Sequence, residues 1–233
     1  MKNIKYLIPN LFTGLSLISG LIALNIIFEQ KNYVTASWLV AFSMLCDGLD
    51  GKIARLLNAT SKFGMLFDTL SDFFAFGIVP AFLAFKLYLH ELGIWGVLLS
   101  LFYVIAGGYR LTRYMIKNKN STEKKSFTGL PIPAAASFIA SFVLINFTKW
   151  HHLEYPKLFV ALVLFSAVLM VSKIEYIAIE KKKKLTKEAK VFLVLFVISF
   201  VIFLKYSYLI FALWIVVYII YGLIRHILKK INS

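Results

Sequence analysis

Acidic residues and cysteine are both scarce in this chain. Its 233 residues include 11 Asp and Glu against 26 Lys and Arg, which leaves a net charge of +15. The single cysteine, Cys46, excludes an intrachain disulfide and any metal site built from several thiolates. We interpret Cys46 as a small buried apolar residue.

Apolar residues are abundant instead: they make up 60% of the chain, and the mean hydropathy is +0.80. A soluble domain is about 45–50% apolar, so lipid must solvate much of this surface. Apolar runs of about 20 residues, the length that crosses a bilayer, predict an all-α, polytopic transmembrane helix bundle. It forms one membrane-embedded domain over residues 1–233. We predict about eight spans: Leu11–Phe28, Val34–Arg55, Phe63–Leu89, Gly93–Ile116, Pro131–Lys149, Pro156–Ile179, Ala189–Leu204 and Ser207–Leu228. A long amphipathic final helix is the alternative for the last two.

Positive charge is distributed unevenly between the two ends of the predicted spans. One side carries both termini, the Lys117–Lys125 loop and the Lys181–Lys190 segment, with all but five of the 26 Lys and Arg. The other side carries Lys31, Lys86, Lys149, Lys157 and Lys205. The positive-inside rule places the rich side, and both termini, in the cytoplasm. We interpret the Lys181–Lys184 run as a loop beside anionic headgroups and expect no nucleic-acid partner.

The four aspartates of the chain lie in one window, at the cytoplasmic ends of the second and third spans. They are Asp47, Asp50, Asp68 and Asp72. Spacings of three and four residues put each pair on one helix face, and a short turn at Asn58–Lys62 lets the two faces meet. Carboxylates that close repel one another unless divalent cations neutralise them. Oxygen-only ligands suit Mg²⁺ or Mn²⁺, with Ca²⁺ as a further candidate occupant.

Isolated helix caps and the ligands of a cation transporter are two other interpretations of these aspartates. Four acids at facing helical positions argue against isolated caps. A transporter carries acids near mid-membrane on several spans, whereas these cluster at one edge beside Arg55, which can bind a phosphate. Gly48, Gly51 and Gly64 leave room beside the carboxylates for a bulky group.

The segment from Asp47 to Asp72 resembles the signature of the CDP-alcohol phosphotransferases, D-x-x-D-G-x-x-A-R-x8-G-x3-D-x3-D, with every fixed position filled. The resemblance implies the family's six-helix core, here followed by a C-terminal pair, and a homodimer. It implies two divalent cations held by all four aspartates, with Asp72 as the general base. It also implies a CDP-linked lipid donor beside Gly51, Ala54, Arg55 and Gly64.

Three further stretches resemble the family members that form phosphatidylserine: Ile8–Leu15, Gly107–Arg113 and Phe127–Ala135, the last similar to F-x-G-L-P-x-P-A. This resemblance implies transfer of a phosphatidyl group from CDP-diacylglycerol, or an ether-lipid equivalent, to L-serine, with release of CMP. Glycerol 3-phosphate and an inositol phosphate are the alternative acceptors. The pair Tyr114-Met115 departs from the Phe-Asn expected there.

Side chains in these stretches are candidates for binding the two substrates. Arg110 and Arg113 share a helix face and are expected to bind the donor phosphate or the serine carboxylate, or else to end the fourth span. The candidates for hydrogen bonds to the cytidine, or for capping the first span, are Asn10 and Thr13. The candidates for the acceptor pocket are Phe127 and Gly129. The predicted protein is thus a multi-pass enzyme of the cell membrane with its active site on the cytoplasmic side.

Overall fold

Helices form most of the part of the chain that this computed structural model describes, residues 4–119, 127–176, 208–224 and 227. They are α1 (Ile4–Asn25), α2 (Tyr33–Leu56), α3 (Lys62–Asp72), α4 (Val79–Leu87), α5 (Ile94–Lys119), α6 (Ile132–Trp150), α7 (Pro156–Val171) and α8 (Tyr208–Ile224). π-helical turns extend α1 over Ile26–Gln30 and join α3 to α4 over Phe73–Ile78, and a 3₁₀ turn spans Leu89–Leu92. The predicted helical fold is confirmed, with one small antiparallel pair, β1 (Phe127–Thr128) and β2 (Glu175–Tyr176), added to it.

Four of the described helical segments are long and apolar enough to cross a membrane. They are Lys5–Gln30, Lys62–Leu87, Ile94–Ile116 and Ile132–Trp150, and they match the predicted first, third, fourth and fifth spans. The protein is therefore a membrane protein. Helix α2 has nearly the predicted bounds but carries charged residues, while α7 and α8 are apolar and shorter. The predicted seventh span, residues 189–204, lies outside the described residues, so the count of eight stays a prediction.

The predicted sixth span, Pro156–Ile179, is wrong at its C-terminal end. Helix α7 ends at Val171, and Ser172 leaves the helical conformation with a ψ of 163°. The Ser172 hydroxyl donates to the Leu169 carbonyl oxygen at 2.7 Å, which satisfies one of the carbonyls that a helix end leaves open. Beyond this helix end, Glu175–Tyr176 pairs with β1, so the backbone groups of β2 have strand partners and not helical ones.

A short turn reverses the chain between α2 and α3. Asn58 has left-handed backbone, with a φ of 46°, and the N–H groups of Asn58 and Ala59 donate to carbonyl oxygens of the last turn of α2 at 3.3 and 2.8 Å. This is the Schellman arrangement of a helix end. Ser61 then caps α3, because its hydroxyl accepts from the Gly64 N–H at 2.9 Å. The turn returns the chain so that α3 brings Asp68 to the aspartates of α2, while both helices pack on α1.

Small residues let the helices around the π-helical turn pack closely. A Cβ added to Gly20 of α1 would lie 3.3 Å from the Ala75 Cα. One added to Gly107 of α5 would lie 2.7 Å from the side chain of Ile132 in α6. Close backbone approach of this kind is how helices associate in lipid, where the surroundings are as apolar as the side chains. The π turn itself begins directly after Asp72, so the regular part of α3 ends at that carboxylate.

Arg113 joins the segment before α6 to the end of α7. Its guanidinium donates to four carbonyl oxygens at 2.6 to 3.2 Å, those of Thr128, Met170, Val171 and Ser172. Gly129 lies in the same junction with a φ of 82°, and a Cβ there would collide with the Met170 carbonyl and the Arg113 guanidinium. We call this contact the Arg113 junction. It fixes the end of α5 against the end of α7.

We predict that Gly129→Ala destabilises the protein by about 1–3 kcal/mol, because alanine meets both an unfavourable φ and an occupied space. The measurement is the midpoint of thermal unfolding in detergent. The matched control is Gly14→Ala on α1, where an added Cβ has no neighbour within 4 Å and alanine suits a helix. Equal midpoints for the two variants would contradict the packing described at the junction.

Candidate active site

The four aspartates converge between the C-terminal half of α2 and the C-terminal half of α3. Side-chain oxygen atoms of Asp47, Asp50 and Asp68 all lie within 4.8 Å of one another. The Asp72 carboxyl group adjoins that of Asp47, one helical turn beyond Asp68 on α3. Asp50 is only 5% exposed, and the other three are partly buried. The two helix faces therefore meet as the spacing predicted, while the roles of the four acids stay a prediction.

Thr13 links α1 to this cluster. Its hydroxyl donates to Asp50 Oδ2 at 2.7 Å, and both residues are buried. The Thr13 carbonyl oxygen in turn accepts from the Ser71 hydroxyl at 3.1 Å, on the residue before Asp72. Two hydrogen bonds thus tie one residue of α1 to both aspartate-bearing helices. Thr13, a candidate for binding the cytidine or for capping the first span, is brought to the aspartates by the structure.

The donor set fits a divalent metal ion. Several carboxylates held this close, in a site shielded from water, repel one another strongly. Arg110 is buried and interacts electrostatically with Asp72, which offsets part of that charge, and a divalent cation would offset the rest. Carboxylate oxygens are the ligands of hard cations such as Mg²⁺ and Mn²⁺, and in the described residues the cluster contains neither His nor Cys.

The residues predicted to bind the donor line both sides of the cluster. Gly51 borders open space, since the nearest atom to an added Cβ is the Arg55 Nη2 at 4.0 Å. Gly64 is more confined, because a Cβ there would come within 3.1 Å of the Asn10 side-chain oxygen. The Asn10 side chain of α1 therefore lies against the first turn of α3. Ala54 lies on α2 between Gly51 and Arg55 in the chain and is partly buried.

The two arginines of α5 have different surroundings. Arg110 is 6% exposed and interacts electrostatically with Asp72 and with Tyr218 of α8. Arg113 instead donates to the carbonyl oxygens of the Arg113 junction. The structure thus brings Arg110 to the aspartates and gives Arg113 backbone partners. Binding of a phosphate or of serine by either arginine stays a prediction.

Phe127 and Gly129, predicted for the acceptor pocket, belong to the segment that Arg113 holds. The backbone of Phe127 pairs with Tyr176, and the Gly129 N–H donates to the Ile174 carbonyl oxygen at 2.8 Å. The closest neighbours of Gly129 are Arg113 and the end of α7. The segment is therefore fixed by its backbone, and its part in binding an acceptor stays a prediction.

Comparison with known proteins identifies the family. Residues 6–172 match the family model described as CDP-alcohol phosphatidyltransferase. The chain belongs to that family. It is 39% identical over 227 residues to the CDP-diacylglycerol–serine O-phosphatidyltransferase of Helicobacter pylori, covering 96% of this chain and 92% of that protein. It is 29% identical over 224 residues to the protein of the same name from Methanocaldococcus jannaschii, covering 94% of each chain. It is 33% identical over 172 residues to the archaetidylserine synthase of Methanothermobacter thermautotrophicus, covering 72% of this chain and 69% of that one.

Tyr218, which is not among the residues predicted from the sequence, lies near Arg110 of this CDP-alcohol phosphatidyltransferase. Its ring stacks on that of Tyr176 at 5.6 Å, and it interacts electrostatically with Arg110. Tyr218 therefore holds α8 against β2, close enough to Arg110 for its phenol to interact with that guanidinium. Helical spacing of Phe211, Ile215 and Tyr218 indicates one packed face, but that pattern does not identify the helix on which the face packs.

We predict that Thr13→Val raises the metal concentration needed for half-maximal CMP release by about tenfold or more. The reason is that Asp50 loses the hydroxyl that orients it, and partners of metal ligands carry effects of this size. The measurement is a Mn²⁺ titration of the activity after treatment with chelator. Thr13→Ser, which keeps the hydroxyl, is the matched control and should resemble the parent. A parent-like titration for Thr13→Val would exclude this role.

Proposed function

We propose that this chain transfers the phosphatidyl group of CDP-diacylglycerol, or of a CDP-archaeol-type lipid, to L-serine, with release of CMP. The observation that carries the proposal is the convergence of the four aspartates, which are also the fixed acids of the family signature. The names of the relatives support serine as the acceptor, since the bacterial and archaeal proteins are serine O-phosphatidyltransferases and an archaetidylserine synthase. The names include both diacylglycerol and archaetidyl lipids, so the proposed donor is either an ester or an ether lipid.

The proposed reaction is a single displacement at phosphorus. The serine hydroxyl oxygen forms a bond to the lipid-side phosphorus of the donor, and the bond from that phosphorus to the oxygen bridging to CMP breaks. CMP leaves with the bridging oxygen, and the serine hydroxyl proton passes to Asp72. Asp72 can act as this base because its carboxylate lies beside Asp47 and Asp68, where the donor phosphates are proposed to bind. A general base must lie within hydrogen-bond reach of the proton that it accepts.

The other acids have a different role in this proposal. Asp47, Asp50 and Asp68 hold two divalent cations, Mg²⁺ or Mn²⁺, together with Asp72. When bound, the cations neutralise the diphosphate and the charge that develops on the leaving oxygen. Thr13 keeps Asp50 in place through its 2.7 Å hydrogen bond. The protein thus contributes positioning and charge compensation more than covalent chemistry.

The donor nucleotide is proposed to lie over Gly51 and Gly64, where side chains are absent. The open space at Gly51 and the Asn10 oxygen above Gly64 support this position. Arg55, which is exposed at the end of α2, is then available to a donor phosphate. Ala54 completes the wall on α2.

Arg110 is proposed to bind the phosphate or the serine carboxylate. Its burial and its interaction with Asp72 support this role, since a buried guanidinium favours a bidentate anionic partner. Arg113 is proposed to contribute by holding Phe127 and Gly129, with the acceptor entering beside their segment. The hydrogen bonds of the Arg113 junction support this indirect contribution.

The function is tested by incubating the purified protein with CDP-diacylglycerol, Mn²⁺ and labelled alcohols. We expect labelled phosphatidylserine from L-serine, and CMP release that depends on both substrates and stops with chelator. If product forms from glycerol 3-phosphate or an inositol phosphate and none forms from serine, serine is the wrong acceptor. The assignment of the reaction as transfer from a CDP-linked lipid would still stand. Cation movement without any CMP release would instead support the transporter alternative.

The same assay tests the assignment of the base. Asp72→Asn should lower kcat by about 10²-fold or more, the scale of a general base, while binding of the CDP-lipid is kept. Asp68→Asn is the comparison, because loss of this ligand should chiefly weaken metal binding. Normal turnover by Asp72→Asn would show that another group takes the proton.

We also propose that the chain has about eight spans, forms a homodimer as the family resemblance implies, and faces the cytoplasm with its active site and both termini. The asymmetry of lysine and arginine supports this orientation. The aspartates support it as well, because CDP-linked substrates and serine are met on the cytoplasmic side. The Lys181–Lys190 segment, on which the orientation partly depends, lies outside the described residues.

The orientation predicts how introduced cysteines react in intact cells. A Lys183→Cys variant should be labelled by a membrane-impermeant maleimide only after permeabilisation. Lys157→Cys, at the opposite end of the bundle and exposed, is the matched control and should be labelled directly. Cys46 is buried, so its background reaction is expected to be low. The reverse labelling pattern would invert the orientation.

A further inference from the structure

A cavity lies at the end of the bundle opposite the aspartates, roughly 20 Å from them along α2. Its volume is about 340 Å³, and it is bounded by the end of α1, the start of α2, and the segment from the end of α4 to the 3₁₀ turn. Three of the residues that line it carry basic side chains, Lys31, Lys86 and His90. The proposed reaction does not use this region.

The two lysines of this cavity form no close ion pair with an acidic residue of the described part of the chain. Within the described residues, neither Lys31 nor Lys86 has an acidic partner within 4.0 Å, although Glu29 and Glu91 lie nearby in the chain. The Lys86 ammonium group lies 4.6 Å from the centre of the Phe28 ring, a contact that leaves its charge in place. Two of the five lysines that the sequence places at this end of the bundle thus line one cavity.

Lys31 also occupies a backbone position that suits another residue. It follows the π-helical end of α1 with a φ of 52° and a ψ of 26°. Glycine is the usual residue at such a left-handed helix end, because a Cβ is unfavourable there. The chain therefore keeps a lysine side chain at the cavity where glycine would suit the backbone better. This observation is independent of the charge count.

The remaining walls of the cavity are amphipathic. The His90 Nδ1 lies 3.0 Å from the Phe85 carbonyl oxygen, so the Nε2 is the ring atom left for a ligand. Phe28 and Phe82 contact each other with ring centres 5.4 Å apart, and both are more than a third exposed. Cations at the membrane end beside an exposed aromatic surface match a ligand with an anionic head and apolar chains.

We propose that this cavity binds the phosphate of an anionic phospholipid in the leaflet opposite the active site. Lys31 and Lys86 donate to the phosphate oxygens, and the Phe28–Phe82 surface contacts an acyl chain. The occupant is a structural or regulatory lipid, because the site lies at the far end of the bundle from the aspartates. The inference does not depend on the proposed reaction.

The test is native mass spectrometry of the purified full chain titrated with dioleoylphosphatidylglycerol. The double variant Lys31→Gly, Lys86→Gln should bind its tightest lipid about two- to fivefold more weakly for each cation removed, the scale of a partly exposed ion pair. Lys31→Gly alone should keep or raise the thermal midpoint, because glycine suits the backbone there. This variant therefore separates loss of the lipid from loss of the fold.

The matched control removes the same charge at the same end of the bundle, with Lys149→Gln and Lys157→Gln, and should bind the lipid as the parent does. Equal weakening in the control pair, or parent-like binding by the Lys31→Gly, Lys86→Gln variant, would overturn the site. A parallel titration with inorganic phosphate should show weak binding. If free phosphate binds as tightly and with the same lysine dependence, the lipid is the wrong occupant.

Discussion

Mutual repulsion among four carboxylates is the constraint that the rest of this structure must offset. Each carboxylate is costly at the edge of a membrane, and the cost rises when their oxygens lie within a few ångströms of one another. The fold must therefore supply compensation from several elements. Thr13 donates to Asp50 from α1, Arg110 acts on Asp72 from α5, and the chemistry of the cluster calls for divalent cations. The proposed reaction uses the same surplus of negative charge to hold divalent cations against the phosphates of the donor.

The Arg113 junction also restrains the helix that carries Arg110. The two arginines are one turn apart on α5, so fixing one limits the movement of the other. Four backbone carbonyls hold the Arg113 guanidinium, and Gly129 gives it room to lie there. One arginine thus acts as a structural clamp, while the other is directed at the acids. Identical side chains three residues apart have different surroundings because α7 ends beside only one of them.

Much of this arrangement is readable in the sequence. Apolar runs in lipid must satisfy their backbone groups internally, so a long apolar run is a helix whatever its neighbours are. Most predicted spans therefore agree with the structure to within a few residues. The end of α7 does not follow this rule, because Ser172 and the β1–β2 pair offer the backbone other partners. The position of Tyr218 beside Arg110 cannot be predicted from the sequence for a related reason: its neighbours come from segments distant in the chain.

The sequence alone determined that the chain is a helical membrane protein, that its acids occupy two facing helix sides, and that its signature is that of the CDP-alcohol phosphatidyltransferases. These are local properties, since hydropathy, helical period and motif spacing are read along one stretch of chain. Only the tertiary structure decided that Thr13 reaches Asp50, that Arg110 faces the acids while Arg113 clamps α7, and that two lysines meet at the far end of the bundle. Those contacts join residues far apart in the chain, such as Arg113 and Ser172, which are 59 positions apart. Periodicity along the chain carries no information on which faces of distant helices will meet.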